Sequence, residues 1–326
     1  MRSSRIALAI ATAFAFATPA LAVDWNFYHH QSAPLFATSR GAKMLSEEIE
    51  KATNGELKAR LHLSGTLQIA PNNITPAVAS GVVQMADDLF NSGNIPVAGI
   101  PRLPGLVRSY EEFAKTAEVL RPYLVKAFAD KGIVMIGEYT YPLQVIWGKK
   151  KLTSLEDIKG LKLRSLPTKI HVTFWRALGA SPTPMDWAEV YPALQQGVVD
   201  GQENPPGIVF FEKLPEVQKY YSLTKHVNEP GNVLMSRASY EKVPPALQKA
   251  LMSAARKATA FERAESQKDN DELLKKLEAA GMQVNAVPDA TIAELRKVAH
   301  GLYGQALADL GPKGKELVDI GTALNR

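Results

Sequence analysis

Two periodicities take turns along the chain. Runs in which every second residue is apolar mark strands; runs in which apolar residues recur at intervals of three and four mark helices. Asp24 to His30 reads as a first strand with a polar end, where His29 and His30 are adjacent. The spacing predicts a helix over Ala37 to Thr53, with Ala42, Leu45 and Ile49 on one face and Lys43, Glu47, Glu48 and Lys51 on the other. Asn54-Gly55 is its stop signal. Leu57 to Leu63 alternates as a half-buried strand does, a helix follows across Ile74 to Ala79, and Val82 to Phe90 contains another strand. The glycines and prolines of Asn94 to Pro104 predict a loop. Tyr110 to Lys131 reads as helix, broken or restarted near Pro122, and Ile133 to Tyr141 is a further apolar run.

In the second half, Leu161 to Arg164 is a short strand and Thr168 to Leu178 a helix closed by Gly179. After Pro182-Thr183-Pro184 comes a second helix. Asp186 and Glu189 have the spacing of an N-cap and its reciprocal partner, Pro192 predicts a kink, and Gly197 marks the end. Val198-Val199 leads into Asp200-Gly201-Gln202-Glu203-Asn204-Pro205, a less regular stretch follows, and Asn232 to Ser236 reads as a crossing strand. Pro244 to Ala280 is the longest periodic segment. Leu247, Leu251, Ala254, Ala258 and Phe261 form one stripe, and Leu273, Leu274 and Leu277 another. It is either one helix spanning two domains or two helices meeting near Asp269-Asn270. Final helices are predicted at Asp289 to Leu307 and Lys313 to Leu324. Strands alternating with helices imply an α/β fold of parallel sheets, with ligands at the carboxyl ends of the strands.

Composition narrows the function. Met1 to Ala22 has the layout of a secretory signal: Arg2 and Arg5, an apolar middle from Ile6 to Ala17, and Ala20-Leu21-Ala22 as the cleavage site. The apolar run is shorter than the roughly 20 residues that span a bilayer. A periplasmic protein beginning at Val23 is expected. The formal charge of +5 falls to +3 without Arg2 and Arg5, and the lysines are dispersed, so no nucleic-acid partner is implied. With zero cysteines there is no disulfide, thiolate metal site or cysteine nucleophile. GxSxG and HExxH are absent. His29-His30 and Asp87-Asp88 are adjacent pairs on strands, whose side chains face apart, so neither a shared metal nor a catalytic acid pair is expected. No cofactor is implied.

The candidate binding residues have competing roles on chemistry alone. Arg164 is a bidentate carboxylate anchor or an ordinary surface ion pair. Asn204 is a pocket amide or a turn residue before Pro205. Trp187 is a ligand platform or core. His30, at the end of the first strand, is a candidate hydrogen-bond donor to ligand. Tyr139, Tyr141, Trp147 and Trp175 either line a cleft or fill the core.

Gly160-Leu161-Lys162-Leu163-Arg164, Leu178-Gly179-Ala180-Ser181-Pro182-Thr183-Pro184-Met185, Glu189-Val190-Tyr191 with Ala193-Leu194-Gln195, and Val199-Asp200-Gly201-Gln202-Glu203-Asn204-Pro205 resemble, in order and spacing, the solute-binding proteins of TRAP (tripartite ATP-independent periplasmic) transporters. The resemblance implies a two-domain periplasmic-binding-protein fold, a ligand cleft between the domains and one long helix spanning both. The expected division is 1–22 as signal, 23–141 with about 230–269 as the first domain, and 142–229 with about 270–326 as the second. It implies capture of a small organic acid and delivery to TRAP membrane permease subunits, by a monomer that is not an enzyme. Arg164 would pair the carboxylate, with Asn204 and Trp187 in the pocket. Gln144 stands where some members carry a second arginine, which argues against highly charged ligands unless Arg102, Arg108 or a lysine substitutes. A secreted enzyme acting on a carboxylate and a binding protein of an ATP-driven importer are the competing readings.

Overall fold

The computed structural model describes residues 23–31, 35–141, 143–166, 168–185, 187–307 and 312–324. The expected signal, Met1 to Ala22, and the expected cap, Asp186, lie outside them. In chain order, the first lobe opens with β1 (Val23–His29), α1 (Ala37–Ala52), β2 (Leu57–His62), α2 (Ile74–Ala79), β3 (Met85–Asp88), α3 (Tyr110–Ala129) and β4 (Ile133–Thr140). The chain then crosses into β5 (Gln144–Gly148), β6 (Lys162–Ser165), α4 (Lys169–Ala177), β7 (Ser181–Pro184), α5 (Trp187–Gln196), β8 (Gly201–Asn204), α6 (Pro206–Phe211) and β9 (Tyr220–Val227). It returns through β10 (Pro230–Ser236), α7 (Arg237–Tyr240) and α8 (Pro245–Ala279), and ends with β11 (Gln283–Ala286), α9 (Asp289–Leu307) and α10 (Pro312–Leu324).

The strands form two sheets, ordered β2-β1-β3-β10-β4 and β11-β9-β5-β8-β6-β7. Both are mixed rather than wholly parallel. β10 runs antiparallel to β3 and β4, and β5 antiparallel to β8 and β9. Each enters its sheet directly from the other lobe, without the helical crossover that would make it parallel.

α8 decides the architecture. It runs unbroken for 35 residues through Asp269-Asn270, so the two-helix alternative does not occur. At 1.5 Å per residue it is roughly 52 Å long, enough to lie along two lobes. Its first half packs on α1 and β4, and its later part on α6 and β11. Small residues bring it close. Ala254, Ala255 and Ala258 are buried, Gly41 of α1 meets Glu262, and Gly137 of β4 meets Thr259. Arg40 of α1 reaches across to Glu265 and Asp269 at 2.9 and 3.0 Å. The buried stripe drifts off the expected line, from Ala258 to Thr259, Glu262 and Ser266, leaving Phe261 half-buried.

One apolar cluster fills the space between the first sheet, α1 and α8, with Phe27, Leu45, Ile49, Met235 and Leu251 at its centre. A second begins on the sheet's other face with Ile74, Val78, Phe113 and Leu120. It continues into the second lobe through Leu163, Phe174 and Trp175, and out to α9 and α10. A third lies on the far face of the second sheet, where Val190, Leu194, Val209 and Tyr221 meet Leu277 of α8.

Other expectations are corrected. α3 is not interrupted at Pro122. Pro122 is exposed and so is Glu118, whose carbonyl loses its helical donor, so water can serve that carbonyl. α5 runs through the exposed Pro192, the position where a kink is expected, without ending there. The Asn94–Pro104 loop contains a 3₁₀ helix over Pro96–Arg102. No helix among the described residues is long and apolar enough to cross a membrane.

A methyl group on Gly137 would sit 2.5 Å from Thr259 Cγ2, whose hydroxyl is already tied to the Ala255 carbonyl at 2.9 Å. Gly137→Ala is expected to lower unfolding stability by about 1–3 kcal/mol, the cost of overpacking a close contact. Urea unfolding followed by circular dichroism checks this.

Candidate functional site

Parallel pairing of β6 with β7 and β8 assembles the first group. Arg164 is near the carboxyl end of β6, in register with Thr183 of β7 and Gln202 of β8. Its side chain is buried, with 2 % exposure, and Nη2 donates to the Met185 carbonyl at 3.1 Å. Its guanidinium carbon stands 5.4 Å from the centroid of the half-buried Trp187 ring, a cation–π distance. Asn204 is two residues beyond Gln202, hence on the same face of β8, and its amide donates to Gln202 Oε1. Gln202 in turn donates to Gln218 at 3.2 Å. Gln144 heads β5 next to Val145, which pairs with Asn204. Arg164, Trp187 and Asn204 are thus brought together, with the backbone of Gln144 beside them. Gln202, Gln218 and the Met185 carbonyl complete the group and were not anticipated.

His30 belongs to a different group, at the carboxyl ends of β1 and β3. Its Nδ1 is 3.1 Å from Asp87 Oδ1 and its Nε2 2.8 Å from the Tyr141 hydroxyl. His29 Nδ1 lies 2.8 Å from the other oxygen of the same carboxylate. The expectation that the two histidines face apart is therefore wrong. β1 ends at His29, and past the last ladder residue the alternation of faces no longer holds. For Asp87 and Asp88 it does hold: Asp88 turns away to Thr75 and the Phe90 N–H. Burial raises the Asp88 carboxyl to about 6, against the hydrogen bonds from Thr75 and Phe90. Tyr139 donates to Asp87, and Tyr139, Tyr141 and Trp175 are all buried.

Both arginines suggested as a second carboxylate anchor are engaged within the protein. Arg102 is buried and bonds Glu229 and the carbonyls of Leu89 and Pro230. Burial lowers its pKa to about 10, which leaves it charged at neutral pH. Arg108 grips Glu112 through Nε at 3.0 Å and through Nη2.

Residues 28–309 match the family described as bacterial extracellular solute-binding protein, family 7. The chain belongs to that family. The 2,3-diketo-L-gulonate-binding periplasmic protein YiaO of Escherichia coli is 29 % identical over 288 residues, which cover 87 % of this chain and 88 % of that one. The C4-dicarboxylate-binding periplasmic protein DctP of Rhodobacter capsulatus is 28 % identical over 277 residues, covering 84 % and 83 %. A TRAP periplasmic solute-binding protein from Sulfitobacter, solved with bound β-D-galacturonate, superposes with a TM-score of 0.84 at 26 % identity, covering 92 % of this chain and all of the other.

Behind the Arg164 group, this family 7 protein carries a buried polar chain. Glu203 lies between Gln202 and Asn204, so it points to the opposite face of β8 and is wholly buried. It accepts from Trp175 Nε1 at 2.9 Å and contacts His171 Nδ1 at 3.1 Å and His226 Nε2 at 2.9 Å. The far nitrogen of His171 is 3.3 Å from Glu229, which holds Arg102. The chain therefore runs from Arg102, next to the first sheet, through the β9–β10 crossing to β8 in the second. Burial pushes the Glu203 carboxyl up, but the charge of His171 and the hydrogen bonds from His171 and His226 outweigh it, and the group rests well below the usual carboxylate range. For His226 burial wins and lowers the ring, against the pull of Glu203.

A carboxylate whose folded pKa is depressed stabilises the fold above its unfolded pKa, about 4.5, and that stability is lost as pH falls toward the folded value. Glu203→Gln is expected to cost about 3–5 kcal/mol at pH 7, because it removes one partner of a buried ionic group. It should also flatten the acid limb of the stability curve. Urea midpoints of both forms from pH 7 to pH 3 test this; parallel acid limbs would show that Glu203 does not carry the effect.

Proposed function

We propose that this TRAP solute-binding protein captures a small organic monocarboxylate between its lobes and delivers it to a TRAP-type membrane permease. The observation that carries the reading is Arg164: a buried guanidinium at the carboxyl end of a parallel strand, over an indole ring and in register with a strand that presents two amides. Its fork of donors matches a carboxylate, and a site shielded from water strengthens the pairing. Asn204 supplies a donor and acceptor for a carboxylate oxygen or an adjoining hydroxyl, Trp187 a flat apolar surface, and Gln144 a neutral edge. His30 is left out of this set, since it stands with Asp87 and Tyr141 in a separate group at the end of β1.

One carboxylate is favoured over two. Gln144 replaces the second arginine found in some related binders, and Arg102 and Arg108 are committed to Glu229 and Glu112. Relatives named for 2,3-diketo-L-gulonate and galacturonate support the choice of a hydroxylated monocarboxylate. We read the two sheets as the cores of two domains, divided as 23–141 with about 230–269 and 142–229 with about 270–326. Closure then turns on the β4–β5 and β9–β10 crossings, with α8 as the brace. α10, packed against both α3 and α9, ties the end of the second domain back to the first. Export on Met1 to Ala22, cleavage after Ala22 and action as a monomer complete the proposal. Pairing of one carboxylate with a buried charge contributes about 2–5 kcal/mol.

Thermal melting of Val23–Arg326 against mono- and dicarboxylates, sugar acids and aromatic acids tests the ligand class. Saturation at 1,000 times the dissociation constant adds about 4 kcal/mol, a shift of several degrees. A sugar acid is expected to give the larger shift and a C4-dicarboxylate the smaller. By calorimetry, Arg164→Ala should weaken binding at least tenfold, about 1.4 kcal/mol; an unchanged dissociation constant would remove Arg164 from the site.

A further inference from the structure

We propose that His29, His30 and Asp87 form a binding site for one divalent transition-metal ion, with zinc the best match. The site lies at the carboxyl ends of β1 and β3 in the first lobe and does not depend on Arg164. One ligand atom from each of the three residues falls within 4.8 Å of the other two. Two imidazoles bracket one carboxylate: His29 Nδ1 is 2.8 Å from Oδ2, and His30 Nδ1 is 3.1 Å from Oδ1.

The surroundings carry the second half of the case. The far nitrogen of each ring meets a hydroxyl oxygen, His29 Nε2 to Ser39 Oγ at 3.0 Å and His30 Nε2 to the Tyr141 hydroxyl at 2.8 Å. Outer hydrogen bonds of this kind fix the tautomer of metal-binding histidines by holding the proton on the outer nitrogen. In that tautomer both inner nitrogens would turn lone pairs toward the carboxylate, and a cation would take the place of the protons that otherwise lie between them. His29 Nδ1 is fully buried and stands 2.8 Å from Asp87 Oδ2. The Tyr139 hydroxyl steadies the carboxylate from the side.

Two imidazole nitrogens with a carboxylate oxygen suit zinc. Calcium and magnesium prefer all-oxygen shells. Zinc–ligand bonds of about 2.1 Å allow two ligands to stand at most about 4.2 Å apart. At the tetrahedral angle zinc prefers, the separation is about 3.4 Å, so the widest pair must close by up to roughly 1.4 Å, through rotation of the rings, to grip an ion.

The test uses untagged Val23–Arg326 stripped with a chelator, titrated with cobalt(II) and followed by visible absorption. Bands saturating at one equivalent and bleached by one equivalent of zinc are expected. His30→Gln should weaken cobalt binding at least tenfold, while His62→Gln leaves it unchanged. Absence of bands, or bands unaltered in His30→Gln, overturns the proposal. A measurement on the native chain keeps the test open if His30→Gln fails to fold. With 15N-labelled histidine, zinc should shift the ring-nitrogen signals of two of the six histidines. Failure of any ring signal to move refutes the site. Carboxylate binding is scored separately by calorimetry, so loss of one reading leaves the other standing.

Discussion

Glu203 sits where the two lobes meet, and a carboxylate removed from water must be fully compensated or it destabilises the fold. It is compensated by three side chains from two elements: His171 and Trp175 of α4 and His226 of β9. Satisfying one buried charge thus fixes how α4 lies on the second sheet and where β9 leaves it. The same constraint reaches the first lobe, because His171 also faces Glu229, and Glu229 holds Arg102. Strand alternation converts this anchoring into site geometry. With Glu203 held on one face of β8, Gln202 and Asn204 are obliged to emerge on the other, beside Arg164.

The elements that were legible are those whose apolar face is buried in the ordinary sense. α2 has the expected bounds, and α1, β6, β10 and α8 stand where the periodicity places them. β9 was missed for a physical reason. Its inward residues include Ser222, Thr224 and His226, so polar groups occupy core positions and the apolar pattern that marks a strand is absent. β7 reads Ser-Pro-Thr-Pro, which suggests a loop, yet it forms the edge of its sheet, where prolines are tolerated. β5 reads Gln-Val-Ile-Trp-Gly, with three apolar residues in a row and no alternation to register, and β11 spans only four residues.

Site residues divide in the same way. Arg164, Trp187 and Asn204 fall within one continuous motif-bearing stretch, so resemblance could point to them together. The partners of Glu203 are 32, 28 and 23 positions away, and no spacing rule connects them. The alternation within Gln202-Glu203-Asn204 was the available signal, since it requires the middle residue to face away from its neighbours. The histidine pair was misread because an ideal strand was extended one residue past its true end.

The path of the chain between the sheets limits the order in which the molecule can fold. The first sheet cannot close when residue 140 is in place, because β10, which belongs between β3 and β4, is supplied only by residues 230–236. The second waits for β11 at 283–286. Neither lobe is an autonomous stretch of polypeptide, and pairings over such separations make folding slow. Synthesis alone leaves long apolar strands such as β4 without a neighbour until almost three-quarters of the chain exists. A polypeptide threaded in this manner cannot hold its native first sheet until β10 has been made, so the two lobes acquire their native pairings late in synthesis.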